Sequence, residues 1–172
     1  EGLIFSKADT GKTKAAIAEV NCETDFVAKS ETFQKLANLV LDSVFDSKTG
    51  DVNSLLGFKA SGGNTIQQEI DGTTASVGEK VELKRAEYFT SADGFYCTYN
   101  HPGNKVASLI ELTGKVTDEG IQLGNDLAMQ VVAMKPITID RSGVSAEMIE
   151  KEKEIYKIQA INEGKPENIA ER

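Results

Sequence analysis

The 172-residue sequence carries a second copy of its own opening, and that repetition limits its fold more than any other feature. Slid by 92 positions, Gly2 falls on Gly94, Gly11 on Gly103, Ala15 on Ala107 and Glu19 on Glu111, while Ile17 meets Leu109 and Val20 meets Leu112. In the first copy, Leu3-Ile4-Phe5 and Ala15-Ala16-Ile17-Ala18-Glu19-Val20 are short apolar runs on either side of Asp9-Thr10-Gly11-Lys12, the pattern of an antiparallel hairpin. The second copy reads the same way, with Phe95 to Tyr99, a turn over Asn100-His101-Pro102-Gly103-Asn104, and Val106 to Leu112. A helical stripe follows each hairpin. Phe33, Leu36, Ala37, Val40, Leu41 and Val44 recur at helical spacing after the first. Leu123, Leu127, Ala128, Val131 and Met134 do so after the second and stop at Pro136. A hairpin-plus-helix unit used twice calls for an α+β fold of two related subdomains, each an antiparallel sheet covered by helices.

Between the copies, Lys59 to Gly63 reads as a loop, and Asn64 or Thr65 is placed to cap a short helix through Ile70. Val81 and Leu83 alternate as in a strand, which is expected to join the second hairpin in a three-stranded meander. Near the end, Ser145 is a candidate N-cap, and Met148, Ile155, Ile158 and Ile161 form a narrow apolar seam among Glu and Lys. The seam stops at Gly164, and Pro166 suits the first turn of a returning helix, so a protruding helical hairpin is expected. The organisation predicted is residues 1–90 and 91–136 as the two core subdomains and 137–172 as a truncated helical-hairpin arm.

The remaining composition narrows the function. Nineteen Lys and Arg against 27 Asp and Glu give a net charge of −8, the wrong sign for a protein that lives on phosphate contacts, so direct nucleic-acid binding is not expected. The longest apolar run, Val131 to Met134, is far too short to cross a bilayer, and Glu1-Gly2-Leu3-Ile4 has no signal-like character. Cys22 and Cys97 lie far apart with no C-x-x-C spacing, which suits two small buried side chains in a reducing, cytoplasmic compartment. With His101 the only histidine, no metal site and no cofactor are expected. Gly11-Lys12-Thr13 ends like a phosphate-binding loop, but Ser6 stands where the motif needs its first glycine, so the segment reads as a turn.

The stretch Glu19-Val20-Asn21-Cys22-Glu23-Thr24-Asp25-Phe26-Val27-Ala28-Lys29 leaves the first hairpin and enters the first helix. All eleven residues resemble the signature of the elongation factor Ts family. Val77-Gly78-Glu79-Lys80 is similar to the family's hydrophobic-Gly-Glu-Asn segment, with lysine in place of asparagine. Tyr99-Asn100-His101 resembles its Tyr-x-His turn, Asp126 to Ala133 with Lys135-Pro136 its second core helix, and Val144 to Glu147 with Glu163 to Pro166 its helical hairpin. The resemblance spans essentially the whole chain. It departs at the front, where the family's small helical module with a Thr-Gly-Ala-Gly motif finds no match, so weak binding or slow exchange is expected.

The resemblance implies a nucleotide exchange factor that binds elongation factor Tu–GDP and disturbs its magnesium and phosphate site, with no covalent chemistry of its own. Carried over, Thr24, Asp25, Phe26 and Val27 are the exchange motif, and Val77, Gly78 and His101 are secondary contacts. The residues by themselves leave plainer readings. Periodicity favours Phe26 as a staple packed into its own core, Asp25 as an N-cap or first-turn charge, His101 as a solvated turn residue and Gly78 as a positive-φ position. A nonexchanging dimerisation or scaffold domain is the alternative function, with a homodimer possible. An enzyme built on Asp25, Cys22 or His101 lacks a complete catalytic constellation.

Overall fold

A computed structural model describes residues 1–164. It has the expected α+β architecture. Strands β1 (Gly2–Ala8) and β2 (Lys14–Asn21) form the first hairpin; β4 (Gly94–Asn100) and β5 (Ala107–Thr113) form the second. The two hairpins are built alike at the same offset of 92. Lys12 N donates to Asp9 O at 3.0 Å and Asp9 N to Lys14 O at 3.0 Å; Asn104 N donates to His101 O at 2.8 Å and His101 N to Val106 O at 3.0 Å. Lys12 and Asn104 both take the left-handed conformation, with φ 60 and 51. A Cβ on Gly2 would lie 2.5 Å from Val20 O, and one on Gly94 would lie 2.4 Å from Leu112 O, so the strands cross too closely there for any side chain.

The hairpins also clasp each other reciprocally. Ile4 N donates to Asn104 O, and its counterpart Tyr96 N donates to Lys12 O, each at 2.7 Å. The backbone groups of Ile4 and Ser6 that point away from β2 would otherwise be open edge, and the second hairpin closes them. Asn100 completes the seam. Its Oδ1 accepts from Ser6 N at 2.8 Å and from Ser6 Oγ at 3.0 Å, and its Nδ2 donates to Ser6 O at 2.8 Å. One side-chain amide thus stands in for the peptide group of a neighbouring strand.

Strand β3 (Glu82–Thr90) corrects the expected meander. It pairs antiparallel with β2 rather than with the second hairpin, giving a three-stranded sheet in the order β1-β2-β3 beside the two-stranded β4-β5. Its Leu83 and Ala86 are buried in the first core, and Arg85 reaches Glu19 across the ladder at 2.5 Å. Alternation in Val81 and Leu83 fixes a strand and its buried face; it does not fix which neighbour the strand chooses.

The helices α1 (Asp25–Lys29), α2 (Glu31–Ser47), α3 (Val52–Gly57) and α4 (Ile66–Val77) belong to the first sheet. Helix α2 lays the predicted stripe onto the sheet, with Phe33, Val40 and Val44 fully buried. Helix α4 is longer than expected; Thr65 caps it with a full capping box to Gln68.

Helix α5 (Asp118–Met134) packs on β4 and β5 through only part of the predicted stripe. Leu123, Leu127 and Met134 are exposed, and the buried positions are Gly124 and Ala128. A Cβ on Gly124 would lie 2.4 Å from Cys97 Sγ, so the helix sits on the sheet by its smallest residues and turns larger ones outward.

A second compact unit starts at Lys135. Within it Asp140 caps a 3-10 turn, Arg141–Gly143, and Ser145 caps helix α6 (Ala146–Asn162) as expected. Gly164 follows with φ 81, the stop read from the sequence. The predicted return arm from Pro166 lies outside the described residues.

Candidate functional site

Strand β2 ends at Asn21, and the chain must turn into α2 within nine residues. It does so through a corner that is fastened at several points. Cys22 N donates to Glu1 O at 3.1 Å, and the buried Cys22 thiol lies 3.2 Å from Thr24 O. Thr24 is extended and caps α1, its Oγ1 accepting from Val27 N at 3.3 Å. Ser30 then ends α1 and starts α2: its N–H donates to Val27 O at 2.9 Å, and its Oγ accepts from Phe33 N at 3.3 Å. The five residues of α1 are therefore bracketed by the Thr24 hydroxyl at the start and the Ser30 backbone N–H at the end.

Within that turn the side chains divide sharply. Val27 and Ala28 point inward and join the core. Phe26 points out and is 81% exposed, which overturns the staple reading. A helical turn of five residues cannot bury three consecutive faces, and the core takes the two that follow Phe26. Asp25 is not the cap but the first helical residue, where its charge suits the helix N-terminus. The Lys29 ammonium donates to it at 2.7 Å and holds its carboxyl below the usual carboxylate range; Lys105, from the second hairpin turn, adds to the effect. The corner thus presents an ionised carboxylate next to a bare phenyl ring.

Glu79 brings the segment after α4 to this corner. Its Oε2 accepts from Thr24 N at 2.9 Å and its Oε1 from Thr24 Oγ1 at 2.5 Å. Val77 is the last residue of α4 and packs partly against the first core. Gly78 is exposed and left-handed, φ 74, which is the positive-φ role that a residue with a Cβ fills poorly. Glu79 thus joins the end of α4 to the Thr24 corner. His101 is exposed in the second hairpin turn, and its Nδ1 meets Tyr99 Oη at 3.1 Å. That turn is tied to the first hairpin through Asn104 O and through a Lys105–Glu1 ion pair.

Glu79 is the residue that sequence reasoning passed over. It stood inside a matched segment, but the contact readings fell on its neighbours, and only the fold brings residue 79 to residue 24. Cys22 and Cys97 are free, buried, and have thiols pushed up by burial, the reverse of an activated nucleophile. Among the described residues no three His, Cys, Asp or Glu side chains converge as metal ligands, and no helix is long and apolar enough to cross a membrane.

The family model described as Elongation factor TS matches residues 23–172. Elongation factor Ts of Chlorobium phaeobacteroides is 39% identical over 175 residues, an alignment covering 100% of the chain and 61% of that protein. The Chloroherpeton thalassium protein of the same name is also 39% identical, with the same coverage. That of Clostridium perfringens is 35% identical over 173 residues, covering 57% of its length. The chain thus spans about three-fifths of the curated relatives it matches.

Proposed function

The chain belongs to the elongation factor Ts family, and from that premise we propose that it is a translation factor that binds elongation factor Tu–GDP and promotes release of the nucleotide. Thr24, Asp25, Phe26 and Val27 are the exchange motif, with Val77, Gly78 and His101 as further contacts. The observation that carries this reading is Phe26, a large apolar ring left 81% exposed at the tip of a capped turn whose next two residues are anchored in the core.

A ring held that way is prepared for insertion. Seating Phe26 in a partner pocket contributes about 1.5–3 kcal/mol of apolar burial, and the fixed corner loses little conformational freedom in doing so. Insertion separates packed elements that support the partner's nucleotide site, and the Asp25 carboxylate arrives beside it as a negative charge. Both weaken the partner's hold on Mg²⁺ and phosphate. Linkage then requires that nucleotide weaken the factor's binding by the same factor, so the step is a reversible swap. This chain's groups position and insert; they exchange no bonds.

The test is the rate at which elongation factor Tu releases a fluorescent GDP analogue. The chain is expected to accelerate release, and Phe26→Ala to lower that acceleration by about 10- to 150-fold, the burial energy converted at 1.4 kcal/mol per decade. Wild-type chain without effect, or Phe26→Ala indistinguishable from it, refutes the proposal.

A further inference from the structure

A helix of one turn has no stability of its own, because nucleation fixes several residues for a single hydrogen bond. The α1 corner must therefore be held from outside, and its core-facing residues, Val27 and Ala28, secure only its far side. The near side, where Asp25 and Phe26 leave β2, depends on Thr24. Its hydroxyl cap to Val27 N is long at 3.3 Å, and a lone hydroxyl is free to rotate away from that role.

Glu79 removes that freedom. One carboxylate oxygen takes the Thr24 N–H at 2.9 Å and the other takes the Thr24 hydroxyl proton at 2.5 Å. With its proton committed to Glu79, Thr24 Oγ1 keeps its lone pairs for Val27 N. Both bonds to Glu79 are charge-assisted and hence stronger than neutral ones. Among the described residues no Lys or Arg forms an ion pair with Glu79; the neighbouring Lys80 is drawn to Glu82 at 2.9 Å. Both hydrogen bonds to the carboxylate come from Thr24. Its own placement comes from Gly78, whose left-handed cap turns the chain out of α4 and back toward the corner.

We propose that Glu79 is a positioning residue for the exchange motif: its carboxylate latches Thr24 and thereby presents Asp25 and Phe26 in a fixed geometry. The inference rests on the exchange reading above for its consequence, but the latch has a readout that does not involve elongation factor Tu. Where Glu79 is removed, Thr24 loses two bonds, α1 frays at its first turn, and Phe26 must be ordered during insertion instead of before it.

The experiment pairs amide hydrogen exchange of the free chain with the GDP-release assay. Glu79→Ala is expected to lower protection at Val27 and Ala28 by about tenfold, the scale of a lost charge-assisted hydrogen bond, with protection in α2 and α4 unchanged. The rate of GDP release at saturating chain falls by a similar factor. Unchanged protection at Val27 and Ala28 overturns the proposal. So does a general loss of protection across α2 and α4, which would make Glu79 a support of the whole core. Lost local protection with undiminished release, in a chain where Phe26→Ala does lose release, also overturns it. If the wild-type chain releases no GDP, the exchange reading falls instead, and the Val27 and Ala28 amides still decide the latch.

Discussion

Replacing Asn100 with alanine tests the seam between the two hairpins. The substitution removes three hydrogen bonds at once, to Ser6 N, Ser6 Oγ and Ser6 O, at 2.8, 3.0 and 2.8 Å. Ser6 is buried, so water does not freely replace them. The hydroxyl can rotate to another acceptor, but the backbone N–H and C=O point away from β2 and are left facing the gap. At about 1 kcal/mol net per bond, and somewhat more for a group stranded without a partner, the cost is about 2–4 kcal/mol. A water admitted into the space vacated by the amide moves it toward the lower figure. Urea unfolding followed by circular dichroism reads this directly. With a slope of about 2 kcal/mol per molar, the midpoint falls by about 1–2 M. Asn64→Ala, which breaks an exposed amide bond to Glu69, is the control and is expected to cost under about 0.5 kcal/mol. If Asn100→Ala costs no more than that control, the amide is not holding the seam, and the clasp must rest on the Ile4–Asn104 and Tyr96–Lys12 bonds and the Lys105–Glu1 pair.

Two further outcomes follow from the packing and the electrostatics. Gly124→Ala should destabilise the chain by about 1–3 kcal/mol in thermal unfolding even though alanine is the better helix former by about 1 kcal/mol, because its Cβ would meet Cys97 Sγ at 2.4 Å; a stabilised variant would show that α5 is free to lift off the sheet. The Asp25 carboxyl should titrate below the range of an unfolded-chain aspartate in an NMR pH series, and Lys29→Met should raise it. The folded-state value is the lower one, so the Asp25–Lys29 pair favours the folded chain above the unfolded-state pKa, and that contribution disappears as pH falls through the folded-state value. An Asp25 titration unmoved by Lys29→Met would remove the lysine as its cause.

The hairpins are legible in the sequence because a repeat constrains both copies together: residues such as Gly2 and Gly94 occupy equivalent close crossings, so their spacing survives where side chains have diverged. Helix α2 is legible because its stripe is the face it buries. Helix α5 is legible as a helix but not in its orientation, since a glycine and an alanine do the packing while leucines face outward, a choice that periodicity in large residues hides. The partner of β3 is illegible for a different reason. Strand alternation names a face, and only the competition for the free edge of β2 names the neighbour. At the corner, periodicity sends Phe26 inward; local pattern cannot tell that Val27 and Ala28 take up the core contacts first. Glu79 is hidden most deeply, because its role exists only through a contact across 55 positions.

The duplication also supplies an internal comparison for the corner. After the second hairpin, Thr117 does what Thr24 does after the first: Gly120 N donates to Thr117 Oγ1 at 3.0 Å and Ile121 N to Thr117 O at 2.9 Å, as Val27 N does to Thr24 Oγ1 and Ala28 N to Thr24 O. Thr24-Asp25 and Thr117-Asp118 are thus the same cap on the same kind of strand exit. The next residue differs. The second copy places an exposed Glu119 where the first places Phe26, and its helix runs on to Met134 without a break. A capped exit of this kind therefore forms with a charged residue at that position, and the fold has no need of an aromatic ring there. What distinguishes the first copy is the ring, the break at Ser30 that isolates it on a single turn, and the Glu79 carboxylate that steadies that turn. Together they hold an apolar ring beside a negative charge on a fixed turn, the arrangement that the proposed exchange function uses.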